Sequence, residues 1–191
     1  SFTHLLKKYE CNSIEDIKGN KEIISMIKKI VFETKMKNNF ILVGPSGVGK
    51  KSVLKCIIKN KYCISNSNLL WIQGSSDRSI QLLREKISNF VTKKNINPEE
   101  PKMLIFEEAD SLSDGVMQLC RSIIQKHTSD SLICVFICSS NDKMIESLQS
   151  RCIIFNFKQI DTMDILDHLK YIAKEENIQI DDNALNTLAT I

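Results

Sequence analysis

The sequence predicts an α/β fold built on a five-stranded parallel sheet, and three observations carry that reading. Five short apolar runs, at residues 40–43, 69–72, 102–106, 132–138 and 152–157, alternate with segments whose apolar residues recur at helical spacing. The runs are continuously apolar rather than alternating, as parallel strands covered by helices on both faces require. Finally, the first run, Phe40-Ile41-Leu42-Val43, passes directly through a glycine-rich turn into a helical pattern, which is a strand–loop–helix unit.

Each element has its own local reason. Asn20 is placed to cap a helix in which Ile23, Ile24, Ile27, Ile30 and Val31 share a stripe, and that helix should fade near residues 35–39. Beyond the glycine turn, Val53, Ile57 and Ile58 line one stripe of the next helix. Residues 77–91 repeat Ile80, Leu83, Ile87 and Phe90 three or four apart, and residues 114–127 do the same with Val116, Cys120, Ile123 and Ile124. Strands stop after Phe157. Two further helical patterns follow, at 161–176 and from 181 onward, so the expected division is a nucleotide-binding domain over 1–158 and a partial helical domain over 159–191.

Composition narrows the class. A chain of 191 residues can bury a real core and suits one domain with a small appendage. No apolar stretch reaches a membrane span, and Ser1-Phe2-Thr3-His4 carries no signal-peptide core, so the expectation is a cytosolic or nuclear protein without a membrane partner. Seven scattered cysteines lack paired metal spacing and read as reduced thiols packed as small hydrophobes, Cys134 and Cys138 on a strand and Cys120 on a helix. A net charge of +3 is too small to mark a nucleic-acid binder, so any such surface must be local. His127, His168 and Trp71 have no partners at ligand spacing and are expected to pack or face solvent.

The chemistry concentrates in two places. Gly44-Pro45-Ser46-Gly47-Val48-Gly49-Lys50-Lys51-Ser52 follows a strand and opens a helix. Such a loop offers backbone N–H groups and a helix N-terminus to phosphate oxygens, and Lys50 can reach the outer phosphates. The run Met103-Leu104-Ile105-Phe106 is closed by Glu107 and Glu108, an acidic strand end able to hold Mg2+ and a water. Together they predict binding of a nucleoside triphosphate.

These residues, with Tyr9, Ile17, Gly19-Asn20, the segment Gln73-Gly74-Ser75-Ser76-Asp77-Arg78-Ser79-Ile80, the quartet Glu107 to Asp110 and the triplet Ser150-Arg151-Cys152, resemble a small subunit of replication factor C. That is the AAA+ sliding-clamp loader of eukaryotes and archaea, and the resemblance runs from about Tyr9 to Ile191. It implies an AAA+ P-loop domain followed by the start of a helical lid. It further implies ATP or ADP as cofactor, and as partners the other subunits of a hetero-pentamer, a sliding clamp and primer-template DNA in the nucleus. A third lid helix and a collar domain would belong beyond Ile191.

Departures from the family pattern matter as much. The family's threonine after the loop lysine, whose hydroxyl binds Mg2+, is Lys51 here, and a second ammonium there repels a metal. Ser52 is one residue late, turned about 100° around the helix. The usual aspartate at the strand end is Glu107, one methylene longer. Ser52 and Glu107 therefore make a weak Mg2+ pair. Glu108, which in the family orients the attacking water, is present, the polar sensor position aligns with Ser139, and Asn141 stands two residues on. Glu10-Cys11 replaces the Arg-Pro that usually follows the early tyrosine. One family branch also has Lys-Lys at this point of the loop and is thought to hold nucleotide without turning it over; this chain is most similar to that branch.

The resemblance assigns Arg151 to a neighbouring subunit's site, where a guanidinium neutralises charge on the transferred phosphoryl group. It assigns Arg78 and Arg84 to DNA backbone contact, which tracks phosphates without reading bases; read alone, Arg84, Glu85 and Lys86 are a solvated helix face. Arg121 matches the first of two adjacent family arginines, the second being Ser122. Three readings stay open: a nucleotide-holding clamp-loader subunit, a clamp-loader subunit that hydrolyses ATP itself, and another AAA+ ATPase of DNA repair or remodelling.

Overall fold

A computed structural model describes residues 8–34, 37–74, 80–95, 97, 99–127 and 131–190. Its centre is a parallel sheet of β1 (Phe40–Val43), β2 (Leu69–Gln73), β3 (Lys102–Glu107), β4 (Leu132–Cys138) and β5 (Ile153–Asn156), ordered β2-β3-β4-β1-β5. Between and around them run α1 (Lys21–Ile27), α2 (Lys50–Cys56), α3 (Ile80–Thr92), α4 (Asp114–Lys126), α5 (Glu146–Gln149), α6 (Thr162–Glu175) and α7 (Asp182–Thr190).

The continuous apolar strands sort themselves by the two-residue period of the pleat. Phe40 and Leu42 of β1, Met103 and Ile105 of β3, and Ile133, Val135 and Ile137 of β4 pack in one core with Ile24, Ile27 and Val31, and with Val53, Leu54 and Ile57. Their alternates, Ile41, Leu104, Phe106, Cys134 and Phe136, pack in a second core with Leu83 and Ile87 of α3 and Val116, Cys120, Ile123 and Ile124 of α4. Phe106 and Phe136 stack in that core with ring centroids 5.0 Å apart. Helices thus cover both faces at the centre of the sheet, and the strand ends there are left for a site.

Several boundaries differ from the sequence expectation for physical reasons. Asn20 does occupy the position before α1, but in a left-handed conformation (φ 49°, ψ 37°) without a side-chain cap. Its amide is used at long range: Lys158 N donates to Asn20 Oδ1 at 2.7 Å, and Asn20 Nδ2 donates to Lys158 O at 2.9 Å. A tertiary pair that ties the start of α1 to the segment after β5 has displaced the local cap. Both α1 and α2 continue as π-helix, through Lys28–Phe32 and Ile57–Tyr62. Lys61 from the second donates to Phe32 O at 2.9 Å and Thr34 O at 2.7 Å, satisfying carbonyls that the end of the first leaves orphaned.

Four of the seven cysteines, Cys56, Cys120, Cys134 and Cys138, are buried as expected of core thiols. The other three depart from that reading: Cys11 and Cys152 are half-buried, and Cys63 is exposed in a left-handed turn (φ 50°) after the second π segment. Burial pushes the Cys56 thiol up to about 11 and the Cys138 thiol up to about 12, so both stay protonated near neutral pH. Beyond β5, α6 and α7 pack on each other. Among the described residues no helix is long and apolar enough to cross a membrane.

Candidate nucleotide-binding site

Because β1 lies between β4 and β5 and β3 is next to β4, the carboxyl ends of β1, β3 and β4 stand side by side. In open α/β sheets that edge is where ligands bind. Here it carries a cleft of about 360 Å3 lined by residues 46–52 of the glycine loop, Glu107, Glu108, Ile137, Cys138 and Ser139. Every loop residue expected at the site lines it apart from Gly44 and Pro45, which lead into it.

Local constraint explains the loop. At Gly44 (φ +148°) an added Cβ would stand 2.4 Å from Phe157 O, so the segment leaving β5 closes directly on the loop. Gly47 (φ +79°) faces space with no heavy atom within 4 Å of an added Cβ, which leaves its backbone open to an incoming ligand. Gly49, also left-handed, precedes the first residue of α2, and the helical path from there runs unbroken to Tyr62.

Lys50 is buried, and burial lowers its ammonium below the ordinary lysine range. It donates to Pro45 O at 2.5 Å and also to Gly44 O, folding the loop around the ammonium. A buried cation held by carbonyl dipoles in a concave loop is a ready partner for an anion.

The acidic side is arranged differently from the expectation. Lys51 Nζ lies 2.6 Å from Glu107 Oε2, with the Glu107 side chain 18% exposed. Glu107, expected as a weak Mg2+ ligand beside Ser52, is thus engaged by the second lysine of the loop. Among the described residues no group of three His, Cys, Asp or Glu side chains is placed to hold a metal. The donor set does not fit a divalent ion organised in the family's usual way: an ammonium occupies the hydroxyl position and already contacts the strand-end carboxylate.

Glu108 is exposed in a left-handed backbone conformation (φ 51°, ψ 46°), and Gln73 Nε2 donates to its Oε1 at 3.2 Å. Gln73 was not among the expected site residues, although it closes β2 in register with Glu107. Its sequence signals were its place at the head of the segment Gln73 to Ile80 that carries the family resemblance and its position as a polar residue ending an apolar strand. Ser139 lines the cleft and its N–H donates to Asp110 Oδ2 at 3.3 Å, whereas Asn141 turns away to Gln149, donating to its Oε1 at 3.1 Å.

The remaining expected residues lie elsewhere. Arg151 is exposed at the end of the turn after α5, its Nη1 donating to Ser147 O at 2.6 Å. Since Ile153 pairs with Phe40 and Asn156 with Val43, Arg151 precedes the amino end of β5, whereas the glycine loop follows the carboxyl end of β1. Four strand residues at about 3.3 Å each separate the two edges by roughly 13 Å. A separate cavity of about 330 Å3 sits at that amino edge, lined in part by Arg151, Lys37, Asn39 and His127. Arg84 is exposed on α3; Arg78 lies outside the described residues. Tyr9 donates to Glu176 Oε1 at 2.7 Å and meets Tyr171 edge-on, so the early segment packs on α6, and His168 stacks on the same Tyr171.

Comparison with known proteins agrees with this arrangement. Residues 40–159 match the family described as "ATPase family associated with various cellular activities (AAA)". The chain is 30% identical over 186 residues to the replication factor C small subunit of Methanococcus vannielii, covering 96% of this chain and 58% of that protein. It is 31% identical over 185 residues to replication factor C subunit 4 of Saccharomyces cerevisiae, covering 96% and 57%, and 28% identical over 190 residues to subunit 3 of Oryza sativa subsp. japonica, covering 97% and 52%. It therefore spans little more than half the length of these relatives. Among solved structures, RuvB variants of Thermotoga maritima superpose with a TM-score of 0.74 at 17% identity over 95% of this chain and 59% of theirs, a likeness of fold alone.

Proposed function

The chain belongs to the AAA ATPase family, and from that premise we propose that it is the nucleotide-binding part of a sliding-clamp-loader subunit, retaining ATP or ADP and serving a neighbouring subunit in trans. The observation that carries the proposal is the cleft itself, where a glycine loop with a buried lysine faces an acidic strand end beneath a sensor-position serine. Residues 44–52 would hold the phosphates, with Lys50 exchanging its two carbonyl contacts for phosphate oxygens. Glu108 would orient a water, with Gln73 as its hydrogen-bond partner. The replication factor C relatives support the clamp-loader assignment, with further subunits, a sliding clamp, primer-template DNA and a nuclear location as its consequences.

Arg151 enters on geometry as well as on resemblance. Standing roughly 13 Å from the edge that carries its own cleft, it is poorly placed to act in cis, and its exposure leaves it available to a neighbour.

The test is nucleotide binding by the chain, followed by titration of a fluorescent ATP analogue. Lys50→Ala should weaken binding by about tenfold to a hundredfold, the worth of a hydrogen bond to a charged group at roughly 1.5–3 kcal/mol. Unchanged affinity in the variant would place the nucleotide elsewhere and defeat the proposal.

A further inference from the structure

We propose that the Lys51–Glu107 ion pair takes the place of the divalent cation at this site, so that the chain retains its nucleotide without Mg2+. The inference rests on the nucleotide-binding reading above and goes beyond it by assigning the counter-ion.

Bound triphosphate brings several negative charges to a cleft that already holds the Glu107 and Glu108 carboxylates, and in most P-loop sites a metal ion compensates them. In this cleft Lys51 projects from the first turn of α2 onto Glu107, with 2.6 Å between Nζ and Oε2. An ammonium has three N–H donors. One is used on Glu107, and two remain for acceptors in front of the loop. The pair is therefore a carboxylate-anchored cation at the junction of loop and strand end, the place a metal would otherwise bridge.

Two further features agree. The Lys51 side chain is 59% exposed on the cleft side while Glu107 is 18% exposed, so the carboxylate is the fixed member and the ammonium the one free to follow a ligand. The longer Glu107 side chain extends one methylene further toward Lys51 than an aspartate would. A metal would have to displace a formed ion pair and then sit beside an ammonium, whose like charge repels it.

The chemical consequence follows from valence. A monovalent ammonium neutralises phosphate charge well enough to hold it, but it polarises the terminal phosphoryl group less than a divalent ion does and positions no coordinated water. Retention without turnover is the outcome.

The experiment compares affinity for a fluorescent ADP or ATP analogue in excess Mg2+ and in excess EDTA, using the chain as it stands. Wild type should change by less than about threefold between the two conditions. Lys51→Thr, which places a hydroxyl after Lys50, should lose about tenfold or more on metal removal, and circular dichroism should show both proteins equally folded. Glu107→Gln should stay insensitive to EDTA because the ammonium remains. If wild type binds in Mg2+ but loses about tenfold or more in EDTA, the substitution of ammonium for metal is wrong while the nucleotide-binding reading stands. Should wild type bind in neither condition, both fail together.

Discussion

Lysines in this chain do work that their residue type does not advertise. Lys102 opens β3, is buried, and sends its ammonium to Phe90 O and Val91 O at 2.8 Å each and to Lys93 O, closing the carboxyl end of α3. It compensates three backbone carbonyls at the negative end of a helix, as Lys61 does for the end of the first helix. In the sequence Lys102 was legible only as the polar first residue of an apolar run, because the carbonyls it serves lie some ten residues earlier in the chain. Lys102→Met keeps the aliphatic stem and deletes the donors, so its cost isolates the hydrogen bonds. We expect a loss of about 1.5–3 kcal/mol, or roughly 3–12 °C in melting temperature for a chain of this size, measured by thermal denaturation followed by circular dichroism. A stability within about 0.5 kcal/mol of wild type would mean that solvent serves those carbonyls equally well. The same residue-scale logic separates the thiols. Exposed Cys63 should react with a maleimide first, and buried Cys56, Cys120, Cys134 and Cys138 only on unfolding, an order that mass spectrometry of partially labelled protein reads directly.

At the scale of elements, the strands and the longer helices were legible, the short helix α5 (Glu146–Gln149) had no expectation of its own, and helix ends were the least legible. All five strands were readable because both faces of a parallel sheet are covered, which leaves each strand apolar throughout, and the five runs fall within one or two residues of the observed bounds. The π-helical continuations were not readable, since Lys28–Phe32 and Ile57–Tyr62 keep an apolar stripe that helical periodicity alone cannot tell from α-helix. Likewise the cap at Asn20 failed because nothing local announces a partner as distant as Lys158. Helix α3 shows both sides of this limit: Leu83 and Ile87 are buried as its stripe predicts, Ile80 is exposed, and the outer face carries Arg84, Glu85 and Lys86. Whether that face is merely solvated or tracks a phosphate backbone is a question of salt dependence. In a reconstituted loader bound to primer-template DNA, Arg84→Ala should lower the slope of log affinity against log salt by about 0.9 for one lost phosphate contact. An unchanged slope would return Arg84 to the solvated face of α3.

Across the whole molecule, the site was legible as residues and not as a disposition. Motif spacing identified the glycine loop, Glu107 and Glu108, and the family resemblance added Ser139, but only the parallel sheet, ordered β2-β3-β4-β1-β5, brings their strand ends to one edge and sends Arg151 to the other. That separation turns a choice between readings into a measurement. If the chain's own site is slow because an ammonium pair stands where a metal would, removing the carboxylate proposed to orient water should change little: Glu108→Gln should leave the total ATPase of an assembled loader within about twofold of wild type. Arg151→Ala should act on the neighbour's site, where such an arginine is worth about 10^3-fold or more, and so remove that neighbour's share of turnover. It should leave this chain's own nucleotide affinity unchanged, because four strand residues lie between Arg151 and the loop edge. Both variants are exposed substitutions outside either core, so loss of folding is not a competing explanation. The decisive comparison is between the two in one preparation of the complex. Equal loss of turnover in Glu108→Gln and Arg151→Ala would make this chain an active ATPase, and the retained nucleotide would then be a substrate rather than a structural ligand.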